Sequence, residues 1–390
     1  MARHGATVPE QPRDASRLQR VERLNRVYLD LDRLEHNMRV LERCVDGRPL
    51  WPCVKANAYG HGAVPISRRL LRLGYDRLGV ADVTEAATLA REGIDATFIV
   101  LAPALPEHAE ALVALNCEPV VCTLEMVQAL AGAAQALGRA LPIHVKVDTG
   151  MGRIGIRPDE VGAFLEASAG QPGVRLSGIM SHFARADEPD KAFSHEQTEL
   201  FRSAVEQARA FGIEYAHMAN SAAIFDVPGS HFDAARPGVS IYGLAPSATI
   251  ANPQVHELEP VLEWKTRIAF LNELPAGAGV SYGHAYRTAR PSLLAVLPVG
   301  YGDGLSRGLS NKLDVLVGGV RCPQVGRITM DTTMVDVTPL RGRVATGDEA
   351  VLVGRQGDEH VTVDELARRL GTISYEVVTG IHARVPRIAV

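Results

Sequence analysis

Lysine is scarce in this chain, and one lysine lies where it could act as a nucleophile. Only five lysines occur among the 390 residues, at positions 55, 146, 191, 265 and 312. Lys55 lies in the apolar run PCVKA (52–56), where lost hydration favours the neutral amine that condenses with carbonyl groups. A buried ion pair with Asp148 or a neighbouring residue is the alternative, and the strand pattern alone leaves both interpretations open. Lys146, which shares a run with Asp148, is the only rival for a covalent role.

A group of small polar residues could bind a phosphate. Asn220 and Ser221 end one apolar run, and RPGV (236–239) follows within the next. Hydroxyl, amide and backbone N–H groups beside a glycine form concavities that bind anions, although Asn-Ser and Pro-Gly are also common in ordinary turns. Combined with a reactive lysine, this group suggests a phosphorylated aldehyde cofactor, pyridoxal phosphate.

The elements that must position these residues alternate along the first two thirds of the chain. Eight short apolar runs recur about every 20–40 residues, and amphipathic helical patterns separate most of them. Continuous apolar strands between helices indicate a parallel sheet covered on both faces, and eight repeats favour a closed barrel. The runs are 52–56, 77–82, 97–102, 118–123, 143–149, 176–182, 215–220 and 232–243.

The candidate residues share one place in such a barrel, the carboxyl ends of its strands, where barrel enzymes carry their functional groups. In chain order these residues are Lys55, Asp148 with Arg153 just beyond it, His182, Asn220 with Ser221, and Arg236.

The amino-acid composition of the sequence changes near residue 259. The remainder is rich in Val, Thr and Gly, and VLVGGVRCPQVG predicts two strands around a Gly-Gly turn. We therefore predict an α/β protein with three parts. They are a flexible tail (1–22), a cofactor-binding (β/α)8 TIM-like barrel (23–258) that begins with a helix capped by Asp30, and a mostly β C-terminal domain (259–390).

Composition and missing motifs exclude several classes of protein. A net charge of −4 gives no basic field for nucleic acid, and no apolar run approaches the ~20 residues of a membrane span. The five cysteines form no CxxC pair, which is typical of reduced thiols in a cytoplasm. The start lacks the apolar core of a signal peptide. Nucleotide-binding P-loops, dinucleotide-binding loops and the H-E-x-x-H zinc motif are also missing, so we expect a cytoplasmic protein without a metal site.

Blocks of residues along almost the whole chain resemble one known family, the alanine racemases. The block PCVKANAYGHG (52–62) is similar to the cofactor-lysine signature of that family, and further blocks follow in the family's order over roughly residues 25–390. These blocks are VDTGMGRIG (147–155), SHFARAD (181–187), ANSAA (219–223), RPGVSIYG (236–243), VSYGHAY (280–286), PVGYGDG (298–304), GRITMD (326–331) and YE (375–376) with RVPR (384–387).

The resemblance implies a pair of bases for the reaction. Lys55 would hold pyridoxal phosphate and act on one face of the substrate carbon, and Tyr282 would act on the other. Racemisation needs both, because the proton leaves one face and returns on the opposite one. His182 and Arg236 would form the relay that supports Tyr282. Arg236 would also face the pyridine nitrogen as a hydrogen-bond donor that does not protonate it, which disfavours transamination.

The same resemblance implies the remaining binding residues. Arg153 would contact the cofactor's phenolic oxygen and the substrate carboxylate, and the backbone amide of Met330 would bind that carboxylate too. Lys146 matches a position that is carbamylated in some members; an unmodified lysine paired with Asp148 is the alternative. The implied phosphate contacts are Tyr59, Tyr375, Asn220, Ser221 and the amides of Gly238 and Val239, and the implied entrance gate is Tyr301 with Tyr375.

One departure concerns selectivity, because Thr329 stands where the family usually has Cys. The implied function is interconversion of L- and D-alanine for peptidoglycan, by a homodimer whose sites take Tyr282, Tyr301 and Met330 from the partner chain. The alternatives are a serine or broad-spectrum racemase, a decarboxylase of diamino acids, and a non-catalytic cofactor carrier. The two gate tyrosines favour a small substrate, and the β domain with Tyr282 argues against the carrier.

Overall fold

The computed structural model describes residues 22–390, so the predicted tail lies outside the described residues apart from Glu22. The described chain begins with strand β1 (Arg26–Leu29) and helix α1 (Leu31–Cys44). Asp30 caps α1, because its carboxylate accepts hydrogen bonds from the backbone N–H groups of Asp32 and Arg33. This confirms the predicted cap.

Six parallel strands form the barrel sheet in chain order, each pairing with the next. They are β2 (Arg77–Val80), β3 (Thr97–Val100), β4 (Glu118–Val121), β5 (Leu141–Lys146), β6 (Val174–Met180) and β7 (Tyr215–His217). The helices around them are α2 (Lys55–Tyr59), α3 (Ala63–Arg72), α4 (Val83–Arg91), α5 (Ala109–Ala114), α6 (Leu124–Ala136), α7 (Val161–Ala169), α8 (Ala192–Arg209) and α9 (Ser221–Asp226). Each helical pattern predicted between the apolar runs forms a helix; among these barrel helices, α2 and α9 were not predicted.

Two short stretches complete the ring of eight. Residues 50–53 and 234–235 are too short to count as strands, but single parallel bridges join Leu50 to Ala235, Cys53 to Gly79 of β2, and Ala234 to His217 of β7. The backbone N–H of Trp51 donates to the Ala235 carbonyl at 2.8 Å. The (β/α)8 barrel is therefore confirmed, with its first and eighth positions reduced to a few residues each.

The C-terminal strands form a mixed sheet and smaller ones. The main sheet has seven strands in the order β14-β13-β16-β8-β1-β18, with β17 beside β16; a second has the order β15-β12-β9, and β10 pairs with β11. The strands are β8 (Leu262–Arg267), β9 (Phe270–Leu274), β10 (Gly279–Val280), β11 (Tyr286–Arg287), β12 (Ser292–Leu297), β13 (Asp314–Val317), β14 (Val320–Pro323), β15 (Thr333–Asp336), β16 (Glu349–Gln356), β17 (Glu359–Val361) and β18 (Arg387–Ala389). Helices α10 (Val363–Leu370) and α11 (Ser374–Thr379) follow β17.

Two details of this β region bear on the sequence-based predictions. Gly318 and Gly319 both have positive φ, 57° and 76°, as the tight turn between β13 and β14 requires; the predicted hairpin is confirmed. Strand β1, in contrast, pairs with β8 and β18 and not with the barrel. Its residues alternate between buried and half-buried, which is the period of a sheet with one covered face. The predicted domain boundary at 258 stays a prediction.

No helix in the described part of the chain has both the length and the apolar character needed to cross a membrane. All five cysteines are free thiols.

Candidate active site

Lys55 follows the first barrel stretch at the start of an unusual turn. The stretch ends at Cys53, so the prediction that Lys55 lies within the strand is wrong. The next four residues, 56–59, have φ between 50° and 54°, a left-handed conformation that costs L-residues roughly 1–2 kcal/mol each. Glu85 holds the turn, because its carboxylate accepts the N–H groups of Ala56 and Ala81, both at 2.7 Å.

This turn directs Lys55 and Tyr59 toward a single cavity of about 650 Å³ at the carboxyl ends of the barrel strands. Tyr375 of α11 lies on the same wall, so both halves of the chain line the cavity. The residues predicted from sequence that line it are Lys55, Tyr59, Lys146, Arg153, His182, Asn220, Ser221, Arg236, Gly238, Val239 and Tyr375.

One side of the cavity forms a cradle for an anion. The Ser221 hydroxyl accepts the Gly238 N–H at 2.9 Å, which ties the end of β7 to the last barrel stretch. A Cβ on residue 238 would collide with the Tyr59 hydroxyl, so glycine lets that hydroxyl enter the cradle. Burial raises the pKa of Tyr59 and of Tyr375. Both phenols therefore stay protonated and can donate hydrogen bonds to a phosphate.

Arg236 supplies the buried charge of the site. It is 4% exposed, and its Nη2 donates to the carbonyls of Ser181 and Met218 at 2.9 and 3.2 Å. Burial lowers the pKa of its guanidinium to about 10, so it remains a cation at neutral pH. His182 lies 3.5 Å from Nη2. Burial, followed by the charges of Arg236 and Lys146, holds the pKa of His182 well below its usual range, so this imidazole is neutral.

Lys146 is almost completely buried, with 2% exposed. Its Nζ donates to the Val147 carbonyl at 3.0 Å. Burial, and next the charge of Arg236, lowers the pKa of Lys146 to about 7. In the described structure the Asp148 carboxylate lies more than 4 Å from Lys146 Nζ. It instead accepts hydrogen bonds from the four backbone N–H groups of residues 150–153. The alternative Lys146–Asp148 ion pair is therefore wrong, and Asp148 shapes the loop that carries Arg153.

Three predicted residues lie away from this cavity within the chain. Tyr282, Tyr301 and Met330 are 73%, 43% and 53% exposed, and Tyr282 lines a separate hollow of about 640 Å³ in the β region. Thr329 stabilises the turn that contains Met330, because its hydroxyl accepts the N–H of Thr332 at 3.1 Å. A single chain thus gathers the cofactor-binding candidates and Tyr375 around one cavity, but not Tyr282, Tyr301 or Met330.

Sequence reasoning missed Glu85 and the buried residues behind Arg236, which are Glu118, His144 and His217. A signal was present, since each of the last three is a polar residue within, or at one end of, a mostly apolar barrel strand. Within residues 22–390, no group of three or more His, Cys, Asp or Glu side chains is arranged to hold a metal ion.

Comparisons with known proteins agree on one family. The profile described as "Alanine racemase, N-terminal domain" matches residues 29–246, and "Alanine racemase, C-terminal domain" matches residues 261–389. The alanine racemase of Symbiobacterium thermophilum is 45% identical over 92% of this chain and 95% of its own. That of Desulfovibrio desulfuricans is 42% identical over 93% and 97%.

Solved structures give the same result. Alanine racemase from Clostridium difficile 630 superposes with a TM-score of 0.89 at 32% identity, covering 95% of this chain and 97% of that one. The alanine racemase from Bacillus anthracis with bound L-Ala-P superposes with a TM-score of 0.88 at 36% identity, covering 95% and 96%.

Proposed function

This chain belongs to the alanine racemase family, and on that premise we propose how its own residues interconvert L- and D-alanine. The enzyme is an amino-acid racemase, an isomerase, and its family role is to supply D-alanine for peptidoglycan. The observation that carries the proposal is the cavity that joins Lys55, a phosphate cradle and a buried arginine.

The residues around the cavity fit pyridoxal phosphate. The cradle of Ser221, Gly238, Tyr59 and Tyr375 would hold its phosphate, and Lys55 would hold its aldehyde carbon. Support comes from the glycine at 238, where a side chain would fill the space used by the Tyr59 hydroxyl. When bound, the cofactor supplies an electron sink that makes the α-proton of the amino acid acidic. Arg236 would donate to the ring nitrogen without protonating it, because a guanidinium remains charged near neutral pH.

Two side chains would then move the proton. Lys55 removes or returns the α-proton on one face of the substrate carbon, and Tyr282 does so on the opposite face. Arg153 and the amide of Met330 hold the substrate carboxylate, which keeps the α-proton between the two bases. A carbamate on Lys146 would place a negative charge near Arg153 and orient it.

We propose a homodimer in which Tyr282, Tyr301 and Met330 complete the partner's cavity. Their exposure in the single chain and the separation of the Tyr282 hollow from the Lys55 cavity support this arrangement. Tyrosines at the gate would restrict the entrance to small amino acids such as alanine. A cytoplasmic location stays a prediction from sequence.

The first experiment follows two signals from one sample of protein, pyridoxal phosphate and L-alanine in D2O. NMR reports exchange of the α-proton, and a D-amino-acid assay reports inversion. We expect exchange together with D-alanine. Exchange without D-alanine would mean that only one base works and would contradict the role of Tyr282. If both signals are absent although the cofactor is bound, that result would contradict the alanine specificity.

A second experiment identifies the lysine that binds the cofactor. We expect the Lys55→Ala variant to lose the borohydride-reducible adduct, and an adduct on another lysine would refute the assignment.

A further inference from the structure

A line of buried polar side chains crosses the interior of the barrel behind Arg236. We call Glu118, His144 and His217 the barrel array. Glu118 begins β4, His144 lies in β5 and His217 ends β7. Glu118 Oε2 lies 3.0 Å from His144 Nε2, His144 Nδ1 lies 2.7 Å from His217 Nε2, and His217 Nδ1 lies 2.5 Å from Arg236 Nη1. Glu118 is 4% exposed and both histidines are fully buried.

The two ends of this line determine every proton within it. Arg236 can only donate, so His217 Nδ1 must accept and Nε2 must carry the proton. That proton is donated to His144 Nδ1, so His144 also carries its proton on Nε2. His144 then donates to Glu118, which can accept at this position as a carboxylate. Burial, and next the charge of Arg236, holds the pKa of His217 well below its usual range, in agreement with a neutral imidazole.

The array also brings a negative charge to the far end of the line. Among residues 22–390, no carboxylate oxygen lies within 4 Å of the Arg236 guanidinium, and an isolated buried cation is costly. Burial works to raise the pKa of Glu118, but hydrogen bonds from His144 and Arg77 hold it below its usual value. The titratable groups whose pKa is affected by the charge of Arg236 are Cys53, Lys146, His182 and His217.

The surrounding barrel is shaped to hold the array. Gly178 of β6 lies against the His144 ring, where any Cβ would collide with it. Trp51 packs edge-on against His144 and His217, with ring centroids 6.0 and 4.8 Å apart, and Arg77 lies 5.5 Å from the Trp51 ring. Apolar neighbours of Trp51 fill the remaining interior. The imidazoles therefore have little freedom to reorient.

We propose that Glu118, His144 and His217 are positioning residues, which orient Arg236 from behind and compensate its charge so that it remains a donor to the cofactor ring. This inference rests on the proposed placement of Arg236 beside that ring. The array binds Nη1, and the carbonyls of Ser181 and Met218 bind Nη2. Arg236 is therefore oriented before any ligand arrives, which is how a preorganised site avoids reorganisation during the reaction.

The first test needs no variant. In holoenzyme labelled with 15N-histidine, the imidazoles of His144 and His217 should both show the neutral Nε2–H pattern at neutral pH. The spectrum of a His144→Gln variant assigns one of them. A proton on Nδ1 of either ring would overturn the proposal.

The second test separates positioning from simple structural support. Glu118→Gln keeps the shape of the side chain but removes its charge, and Glu214→Gln is the matched control, an exposed carboxylate just before β7 that pairs with Arg175. We expect Glu118→Gln to lower kcat about tenfold while KM for alanine changes less than about twofold. The alkaline limb of the kcat profile should move to lower pH, because a lost negative charge makes the Arg236 cation less stable.

The conservative variant His144→Gln should retain most of the activity, since an amide can donate to Glu118 and accept from His217, whereas His144→Leu should not. A Glu118→Gln enzyme with the kcat and pH profile of the Glu214→Gln control would overturn the proposal. Failure of the proposed function is a different result, because a wild-type protein that racemises no alanine would leave the histidine NMR prediction intact.

Discussion

Burial decides the chemistry of two cationic residues at this site in different ways. Arg236 and Lys146 are both almost fully buried, and burial lowers the pKa of each. The ordinary pKa of a guanidinium is so high that Arg236 remains charged at neutral pH. The pKa of the Lys146 amine falls to about 7, so this amine is partly neutral under physiological conditions. Arg236 is thereby kept as a donor at neutral pH, whereas Lys146 is partly in the neutral form that could react with carbon dioxide.

The pH dependence of Lys146 modification follows from this shift. Because only the neutral amine forms a carbamate, modification should increase as pH rises through about 7. We expect the 13C NMR carbamate signal of enzyme in labelled bicarbonate to grow between pH 6 and pH 8. Lys146→Arg, which cannot be carbamylated, should lack the signal. A signal that persists in Lys146→Arg, or none at pH 8 in the wild type, would contradict the prediction.

Tyr282, the proposed second base, can be tested with a single substitution. Tyr282→Phe should bind the cofactor normally but lower racemisation by about 10²–10⁴-fold, the usual contribution of a general base. Exchange of the L-alanine α-proton with D2O should fall equally, while exchange from D-alanine, which Lys55 begins, should fall less. Tyr75→Phe is the control, since that hydroxyl donates to Glu42 on the outside of the barrel. An equal fall from both enantiomers would exclude the two-base assignment.

At the scale of elements, short irregular segments place the functional groups and long regular ones support them. The left-handed turn α2 turns Lys55 and Tyr59 into the cavity, and α11 brings Tyr375 from the other half of the chain. Non-glycine residues in such a turn are costly, and strain of this kind is typical of functional sites. The contacts from Glu85 stabilise it.

The cradle predicts the effect of a single added methyl group. In Gly238→Ala the new Cβ would displace the Tyr59 hydroxyl and remove a donor to the phosphate. We expect the Kd for pyridoxal phosphate to rise at least about tenfold, since a hydrogen bond to a charged group contributes about 1.5–3 kcal/mol. Titration of the apoprotein by absorbance measures this change.

Gly132→Ala in α6 is the matched control, because nothing lies within 4 Å of its added Cβ. It should leave the Kd unchanged and raise the free energy of unfolding by about 0.5–1 kcal/mol. Equal Kd values for the two variants would show that the cradle does not bind the phosphate.

At the scale of the whole molecule, the question is which chain supplies Tyr282. We expect that mixing inactive Lys55→Ala and Tyr282→Phe enzymes, with exchange of subunits, restores activity. Half of the dimers are then mixed, and each mixed dimer has one intact site if sites are shared, so activity should reach about a quarter of the wild type. If each site lay within one chain, no mixed dimer would be active. Sedimentation of the mixture verifies that dimers form.

Much of this architecture follows from local patterns in the sequence. Continuous apolar runs between amphipathic helices predicted the barrel, the Gly-Gly pair predicted the hairpin between β13 and β14, and Asp30 predicted its cap, because each depends on neighbours within a few residues. The block around Lys55 also determined the family, since its order of residue types is specific.

Tertiary structure alone decided the features that depend on residues far apart in the chain. Strand β1 joins the β sheet through partners more than 200 residues away, and Asp148 binds its own loop instead of Lys146. In the sequence, three isolated polar residues stand among apolar strand residues: Glu118, His144 and His217. Only the closed barrel brings them into one line that ends at Arg236. Sequence determines which side chains are present, whereas burial and distance, which set their charge and their partners, exist only after the chain has folded.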